Sequence, residues 1–239
     1  MKKKKKFSLK IATNITLAFL VVSVGLACFF PSAATAVQSG EVGVYRSVSD
    51  KSDGVSLMFN VYWGTEEVYS ILDTLDEYGG KATFFVGGCW ADDNVQCLKD
   101  IRSRGHEIGN HGYFHKDHDK LGEAENKNEI VRCNRFVELA VGVTPTLFAP
   151  PSGAYNNVTI EVARSLNMKT ILWSRDTIDW RDKNVSLIYR RATKDIRGGE
   201  FVLMHPMKET ATALPDILKY YKSCSLRAVT VGENLQLGG

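Results

Sequence analysis

Residues 55–86 have the sequence VSLMFNVYWGTEEVYSILDTLDEYGGKATFFV, in which two short apolar runs flank a longer amphipathic segment. The runs 55–60 and 82–86 are rich in Val, Leu and Phe and predict β-strands. Between them, the spacing of the apolar residues over 66–78 predicts a helix. Repeated units of strand, helix and strand are typical of a parallel sheet, because a crossover helix brings the second strand back beside the first.

The same alternation continues toward the C-terminus. Further helices are predicted at 94–104, 125–140, 159–166, 187–195 and 211–221, and further strands at 106–110, 146–148, 170–173, 201–204 and 228–231. This pattern favours an α/β fold, either a small barrel or a doubly wound sheet. Because reactive groups in such folds gather at the carboxyl ends of strands, the residues that follow the strands are the candidates for function. They are Asn60, His111, Pro150, Pro151, Asp176 and His205.

Composition excludes several classes of protein. The chain has 239 residues, of which 44% are hydrophobic and 24% charged, as in an ordinary globular domain. The net charge of +3 depends on six lysines in the first 36 residues, and without them 24 basic residues face 27 acidic ones, a balance of −3. The folded part therefore lacks the basic surface expected of a nucleic-acid-binding protein.

The N-terminus has the pattern of an export signal. A lysine cluster precedes an apolar run at 15–30, and the small residues 34–36 form a cleavage site. The run is shorter than the roughly 20 residues of a spanning helix, which favours a signal peptide at 1–36 over a membrane anchor. We expect a linker at 37–51, one domain at 52–239, and a secreted or extracytoplasmic protein, with membrane contact only if the signal stays uncleaved. In that compartment Cys89 and Cys97 could form a disulfide or remain buried thiols.

Histidines are concentrated in one stretch. The sequence GHEIGNHGYFH at 105–115 places His111 and His115 four residues apart, directly after a predicted strand. If the chain is helical there, both imidazoles face one way and can share a metal ion. The alternative is a pair of solvated loop histidines.

This stretch resembles the second motif of the polysaccharide deacetylases (carbohydrate esterase family 4, the NodB homology domain). Other motifs of that family follow in the correct order along the chain. They are TFFV at 83–86, PPSGAY at 150–155, DTIDW at 176–180 and LMH at 203–205. The resemblance implies a distorted (β/α) barrel of seven or eight mostly parallel strands in a single domain. It also implies metal-dependent removal of acetyl groups from an N-acetylated glycan, with zinc as the metal.

The resemblance also implies a role for individual residues. His111 and His115 would bind the metal, His205 would protonate the departing amine, and Asp176 would hold the His205 ring. Asp179 would either support the loop that follows Asp176 or replace the base. The substrate would contact four other motif residues. These are Pro151, Tyr155, Trp180 and Leu203.

The first motif departs from the family pattern. Where the family has T-F-D-D, with a general base and a third metal ligand, residues 58–61 are MFNV. Asn60 therefore stands in the base position, although an amide cannot take a proton at neutral pH, and the Val61 side chain cannot ligate a metal. Ala149 replaces the arginine that would hold the base, which is consistent because that arginine would lack a partner charge.

These changes leave two functions open. A general base contributes about 10²- to 10⁴-fold in rate, so its loss weakens hydrolysis without abolishing it. His118, Asp117 or the side-chain oxygen of Asn60 could supply the third ligand. Alternatively, Asp117 and His118 could both be solvated loop residues. The chain is then either a hydrolase of N-acetylated cell-wall polysaccharide with a rearranged site, or a catalytically silent member that binds the glycan.

Overall fold

The computed structural model describes residues 42–237. Its strands are β1 (Val44–Tyr45), β2 (Gly54–Val61), β3 (Thr83–Val86), β4 (Glu107–Asn110), β5 (Leu147–Phe148), β6 (Lys169–Ile171), β7 (Arg175–Asp176), β8 (Phe201–Met204) and β9 (Arg227–Val229). Its helices are α1 (Thr65–Tyr78), α2 (Gly88–Asp93), α3 (Val95–Ser103), α4 (Glu123–Val141), α5 (Asn157–Ser165), α6 (Asp179–Asp182), α7 (Val185–Thr193), α8 (Lys208–Ser223) and α9 (Val231–Leu237).

The strands form one parallel sheet in the order β1-β6-β5-β4-β3-β2-β8-β7, and β9 also pairs with β2. Beyond β1 the chain reaches the other side of this array, where Ser47 forms an antiparallel bridge with Glu200. The Val48 amide also donates to the Gly199 carbonyl oxygen at 2.8 Å. The predicted α/β fold, a distorted barrel of mostly parallel strands, is confirmed.

β2 is the central element, and each of its eight residues is buried. Leu57, Phe59 and Val61 belong to the core cluster that also contains the inner faces of the helices. Met58 belongs to a second cluster on the other side of the strand, within the barrel. Because side chains alternate along a strand, Asn60 shares the side of Met58, and it lies at the carboxyl end of the barrel interior.

Every strand and helix predicted from the sequence is present, with bounds that differ by at most three residues. The predicted linker at 37–51 is wrong in part, because β1 lies within it. Tyr45 and Val48 pack against the cluster inside the barrel, which makes this segment part of the domain. The predicted signal or anchor at 1–36 lies outside the described residues. None of the helices within 42–237 has the length and apolar character needed to cross a bilayer.

The cysteines among the described residues are free thiols, so Cys89 and Cys97 do not form the disulfide that their spacing allowed. Cys97 is buried on α3 and belongs to the core cluster between the sheet and the helices. Of the two alternatives, a disulfide or two thiols, the structure therefore contains the thiols.

Acid should destabilise the fold through His106, which is 1% exposed. Its Nδ1 accepts a hydrogen bond from the Ala82 amide at 3.3 Å, and its Nε2 has no partner. Burial, aided by the nearby Lys81 charge, lowers the pKa of His106 to about 4 from 6.5. As the pH falls from 6.5 to about 4, His106 therefore binds a proton in the unfolded chain but stays neutral in the folded chain. We expect the free energy of unfolding to fall over that interval by up to about 3 kcal/mol from this group.

The measurement is urea unfolding at several pH values for the native chain and for His106→Gln. The variant should lose less stability between neutral pH and pH 4 than the native chain does. Equal losses in the two proteins would contradict the assignment to His106.

Candidate active site

The predicted site residues lie at the carboxyl ends of strands that are neighbours in the sheet. Asn60 lies near the end of β2, His111 directly follows β4, and His205 directly follows β8. β3 lies between β2 and β4, and β8 pairs with the opposite edge of β2. Parallel strands place these ends on one rim of the barrel, as the sequence predicts.

His111 is held as a neutral imidazole. Its side chain is almost completely buried, and its Nδ1 donates to the Ala149 carbonyl oxygen at 2.7 Å. Burial, together with the charge of nearby His115, lowers the pKa of His111 to about 3. The proton on Nδ1 leaves a free lone pair on Nε2, the tautomer that a metal ligand requires.

His115 lies beside His111, with ring centroids 5.1 Å apart and ring planes 72° apart. The helix that the spacing of the two histidines allowed does not form. Instead, the loop turns through Gly112 (φ 72°) and His115 (φ 55°), both in the left-handed region. Burial also lowers the pKa of His115. The structure therefore brings the two predicted ligands together by a different backbone path.

A carboxylate that the sequence analysis missed holds this loop. Glu129 of α4 is 1% exposed, and its Oε2 accepts from the amides of Tyr113 and Phe114 at 3.0 and 2.7 Å. Lys116 lies 3.8 Å from the other carboxylate oxygen. The available signal was an acidic residue next to Ile130, on the apolar face of an amphipathic helix.

The end of β2 offers no charged group to the histidines. Asn60 is 4% exposed, and its Oδ1 has no hydrogen-bond partner among the described residues. Val61 is fully buried in the cluster that faces the helices. Ala149 is also fully buried. The described rim thus carries neutral side chains at the three positions where the family resemblance implies a base, a metal ligand and an arginine.

The predicted substitutes for the third ligand do not complete a metal site. His118 is buried, and its Nδ1 donates to the Asn126 side-chain oxygen at 2.6 Å. Asp117 forms an ion pair with Lys120 at 2.6 Å. Within residues 42–237, no three His, Cys, Asp or Glu side chains are grouped so as to hold a metal ion. Two neutral imidazoles do not fit a catalytic zinc site, which usually has three protein ligands.

His205 is held by Asp179, and the prediction that Asp176 holds it is wrong. Nδ1 of His205 donates to Asp179 Oδ1 at 2.8 Å, and the His205 amide donates to Oδ2 at 2.7 Å. The Thr210 hydroxyl also donates to Oδ2, at 2.7 Å. Asp176 instead accepts from the Ile178 amide at 2.7 Å, and burial raises the pKa of Asp176. The left-handed Ile178 (φ 52°) reverses the chain and turns Asp179 toward β8.

The predicted substrate contacts differ in accessibility. Trp180 is 50% exposed, and its amide donates to Asp179 Oδ1 at 2.9 Å. Tyr155 accepts a hydrogen bond from Arg46 at 2.9 Å. Leu203 and Pro151 are both buried. Trp180 is therefore the member of this set that presents a large apolar surface to solvent.

The sequence matches the family model for polysaccharide deacetylases over residues 47–171. This segment covers β2 through β6 and includes the loop that carries His111 and His115. The chain belongs to the polysaccharide deacetylase family.

Among related sequences of this family, the uncharacterized protein YlxY of Bacillus subtilis is 37% identical over 190 residues, which cover 80% of this chain and 59% of YlxY. A peptidoglycan-N-acetylglucosamine deacetylase of Bacillus cereus is 33% identical over 181 residues, covering 72% of this chain and 84% of that protein. The chain thus spans most of one relative and about three fifths of the other.

The fold is also similar to that of BA3943 from Bacillus anthracis, described as a pseudoenzyme of carbohydrate esterase family 4. The TM-score is 0.79 at 31% identity, with 83% of this chain and 70% of that chain covered. A mutant of BA3943 described as having restored enzymatic activity matches with the same TM-score, at 30% identity and with coverage of 83% and 73%. In BA3943, therefore, the same fold is described both in a pseudoenzyme and in a mutant with restored activity.

The two aspartates near His205 should differ sharply in their effect on stability. Asp179→Ala removes the acceptor of several buried donors, so we expect the free energy of unfolding to fall by about 3 kcal/mol. Asp176→Ala removes one bond within a turn and should cost less than about 1 kcal/mol. Urea unfolding of both variants measures this difference. Similar losses would contradict the central role of Asp179.

Proposed function

We propose that this chain is a catalytically silent, glycan-binding member of the polysaccharide deacetylase family. The observation that carries the proposal is the neutral end of β2, where Asn60 and Val61 stand in place of two carboxylates. The remaining pair of imidazoles does not complete a ligand set, so no hydrolytic step is assigned to a metal here. The glycan as ligand is supported by the named activity of the Bacillus cereus relative on peptidoglycan N-acetylglucosamine.

The rim retains features suited to holding a sugar. The buried Asp179 carboxylate fixes both the His205 ring and the backbone of the exposed Trp180. An exposed indole offers a large apolar surface to a ligand. We therefore expect Trp180 to contact the glycan. A cell-wall glycan lies outside the cytoplasm, in agreement with the export signal expected at 1–36.

A hydrolase with a rearranged site is the second candidate, and a specific geometry favours it. The His111 and His115 rings remain adjacent, and Asp179 still holds His205. In this candidate His111 and His115 would hold a divalent metal, with zinc as the expected ion, if a third ligand completed the set. The ion would supply Lewis-acid activation of the acetyl group and of a water molecule, and His205 would give a proton to the departing amine.

Acetate release separates the two candidates. With the hexamer of β-1,4-linked N-acetylglucosamine and added zinc, we expect the native chain to release no more acetate than His111→Ala does. The double variant Asn60→Asp/Val61→Asp restores the two carboxylates of the family motif. It should exceed the native rate by at least about 100-fold, the contribution expected of a general base.

The double variant also provides a readout that does not depend on activity. Zinc should raise its midpoint of thermal unfolding, because a ligand that binds only the folded state stabilises that state. The native chain should show a much smaller shift. Zinc-dependent acetate release by the native chain above the His111→Ala background would overturn the silent assignment in favour of the hydrolase.

Glycan binding is tested by retention on purified, N-acetylated peptidoglycan. The native chain should sediment with the polymer, and Trp180→Ala should be retained less. Leu139→Ala is the matched control, because Leu139 is an apolar side chain, 77% exposed, on α4 rather than on the rim. Failure of the native chain to sediment with peptidoglycan would refute the proposed function.

A further inference from the structure

Trp63 stacks on the His205 ring at the rim. It follows β2 directly after Tyr62, and its ring lies parallel to the His205 imidazole, with centroids 5.8 Å apart and planes 2° apart. Its Nε1 donates to the Met207 sulfur at 3.4 Å. Even with these contacts, 42% of Trp63 is exposed. One side of the indole is covered by His205, so we infer that the accessible area includes the opposite side.

The backbone next to Trp63 is fixed as well. Gly64 lies in the left-handed region at φ 79°, and a Cβ atom there would overlap the Pro206 carbonyl oxygen. The close approach that this glycine permits brings the chain after β2 against the segment 205–207. The indole is therefore held from its backbone, its ring nitrogen and one ring face, and it loses little freedom when a ligand binds.

Tyr62, the residue before Trp63, packs against the other rim histidine, His115. The Tyr62 ring lies 4.8 Å from the His115 ring, between centroids, at an interplanar angle of 40°. It also lies directly on Gly87, where a Cβ atom would overlap the ring. Two consecutive aromatic residues thus pack against one imidazole each, immediately after the positions where the family carries its carboxylates.

We propose that the exposed face of Trp63 is the stacking platform for a pyranose ring of the glycan, supported from below by His205. The inference rests on the proposed function, since it names the surface that binds the glycan. A pyranose presents a face of C–H groups, and an indole offers the large apolar surface that such a face covers. An accessible aromatic ring that is already immobile fits this use better than it fits a role in core packing.

The stack also assigns a role to His205 in a chain without a general base. Asp179 holds this ring through Nδ1, and the same carboxylate binds the amide of Trp180. Trp63 thus contacts the His205 ring, and the backbone of Trp180 is bound by the carboxylate that holds that ring.

The test measures binding of the pentamer of β-1,4-linked N-acetylglucosamine by calorimetry, together with thermal unfolding. Trp63→Ala should weaken binding at least about tenfold, as expected for a central aromatic contact, and should leave the midpoint of unfolding nearly unchanged because the ring is half exposed. Trp63→Phe retains a ring and should stay within about threefold of the native affinity. Leu139→Ala, remote from the rim, should bind as the native chain does.

The outcomes separate this inference from the proposed function. If the native chain binds the pentamer and Trp63→Ala binds equally well, the platform is refuted and the proposed function stands. If the native chain binds neither the pentamer nor peptidoglycan, the proposed function fails and the platform fails with it. Weaker binding by Trp63→Ala, with Trp63→Phe and Leu139→Ala close to native, supports the platform.

Discussion

The molecule is organised around β2, a fully buried strand that pairs with β3, β8 and β9. Its alternating side chains supply both core clusters, one toward the helices and one inside the barrel. Because β2 pairs with β3 on one side and β8 on the other, its carboxyl end lies at the rim between those two strands. The residues that follow Phe59 therefore lie at the rim that also carries the histidines after β4 and β8, although the Val61 side chain faces the helices. In this chain those residues are an amide, an isopropyl group and two aromatic rings.

The pattern of loss and retention at the rim follows from the cost of burying charge. A buried carboxylate is stable only when donors or a cation saturate it. Asp179 meets that condition, since its two oxygens accept from the Thr210 hydroxyl and from the backbone and ring of His205. An aspartate at position 60 would need the arginine that Ala149 replaces, or a metal. The neutral residues at 60 and 149 are thus mutually consistent, and the Asn60 side-chain oxygen has no hydrogen-bond partner among the described residues.

The fold was largely predictable, because periodicity reports long buried strands and amphipathic helices directly. β1 and β7 lie at the two ends of the strand order, and each has only two partly buried residues, too few to show a period. β5 is equally short, but both of its residues are apolar and buried. Motif positions identify the residues of the site, but they do not show which aspartate forms a hydrogen bond with His205. Whether Asp176 or Asp179 reaches His205 depends on the left-handed Ile178, a conformation that its β-branched side chain disfavours and that the sequence does not signal. The position of Glu129 on the apolar face of a helix signals a buried carboxylate, but its partners are backbone amides, which the sequence does not identify.

The bridge between Ser47 and Glu200 changes where the domain begins. The chain ahead of β2 first adds an edge strand beside β6 and then crosses to the start of β8. These few residues therefore contact both the β6 side of the sheet and the residues just before β8. A recombinant protein begun at residue 52, where the strand pattern alone would place the start, would lack both connections and expose the edge of β6. Material prepared for any work on the rim should retain the chain from Val42 onward.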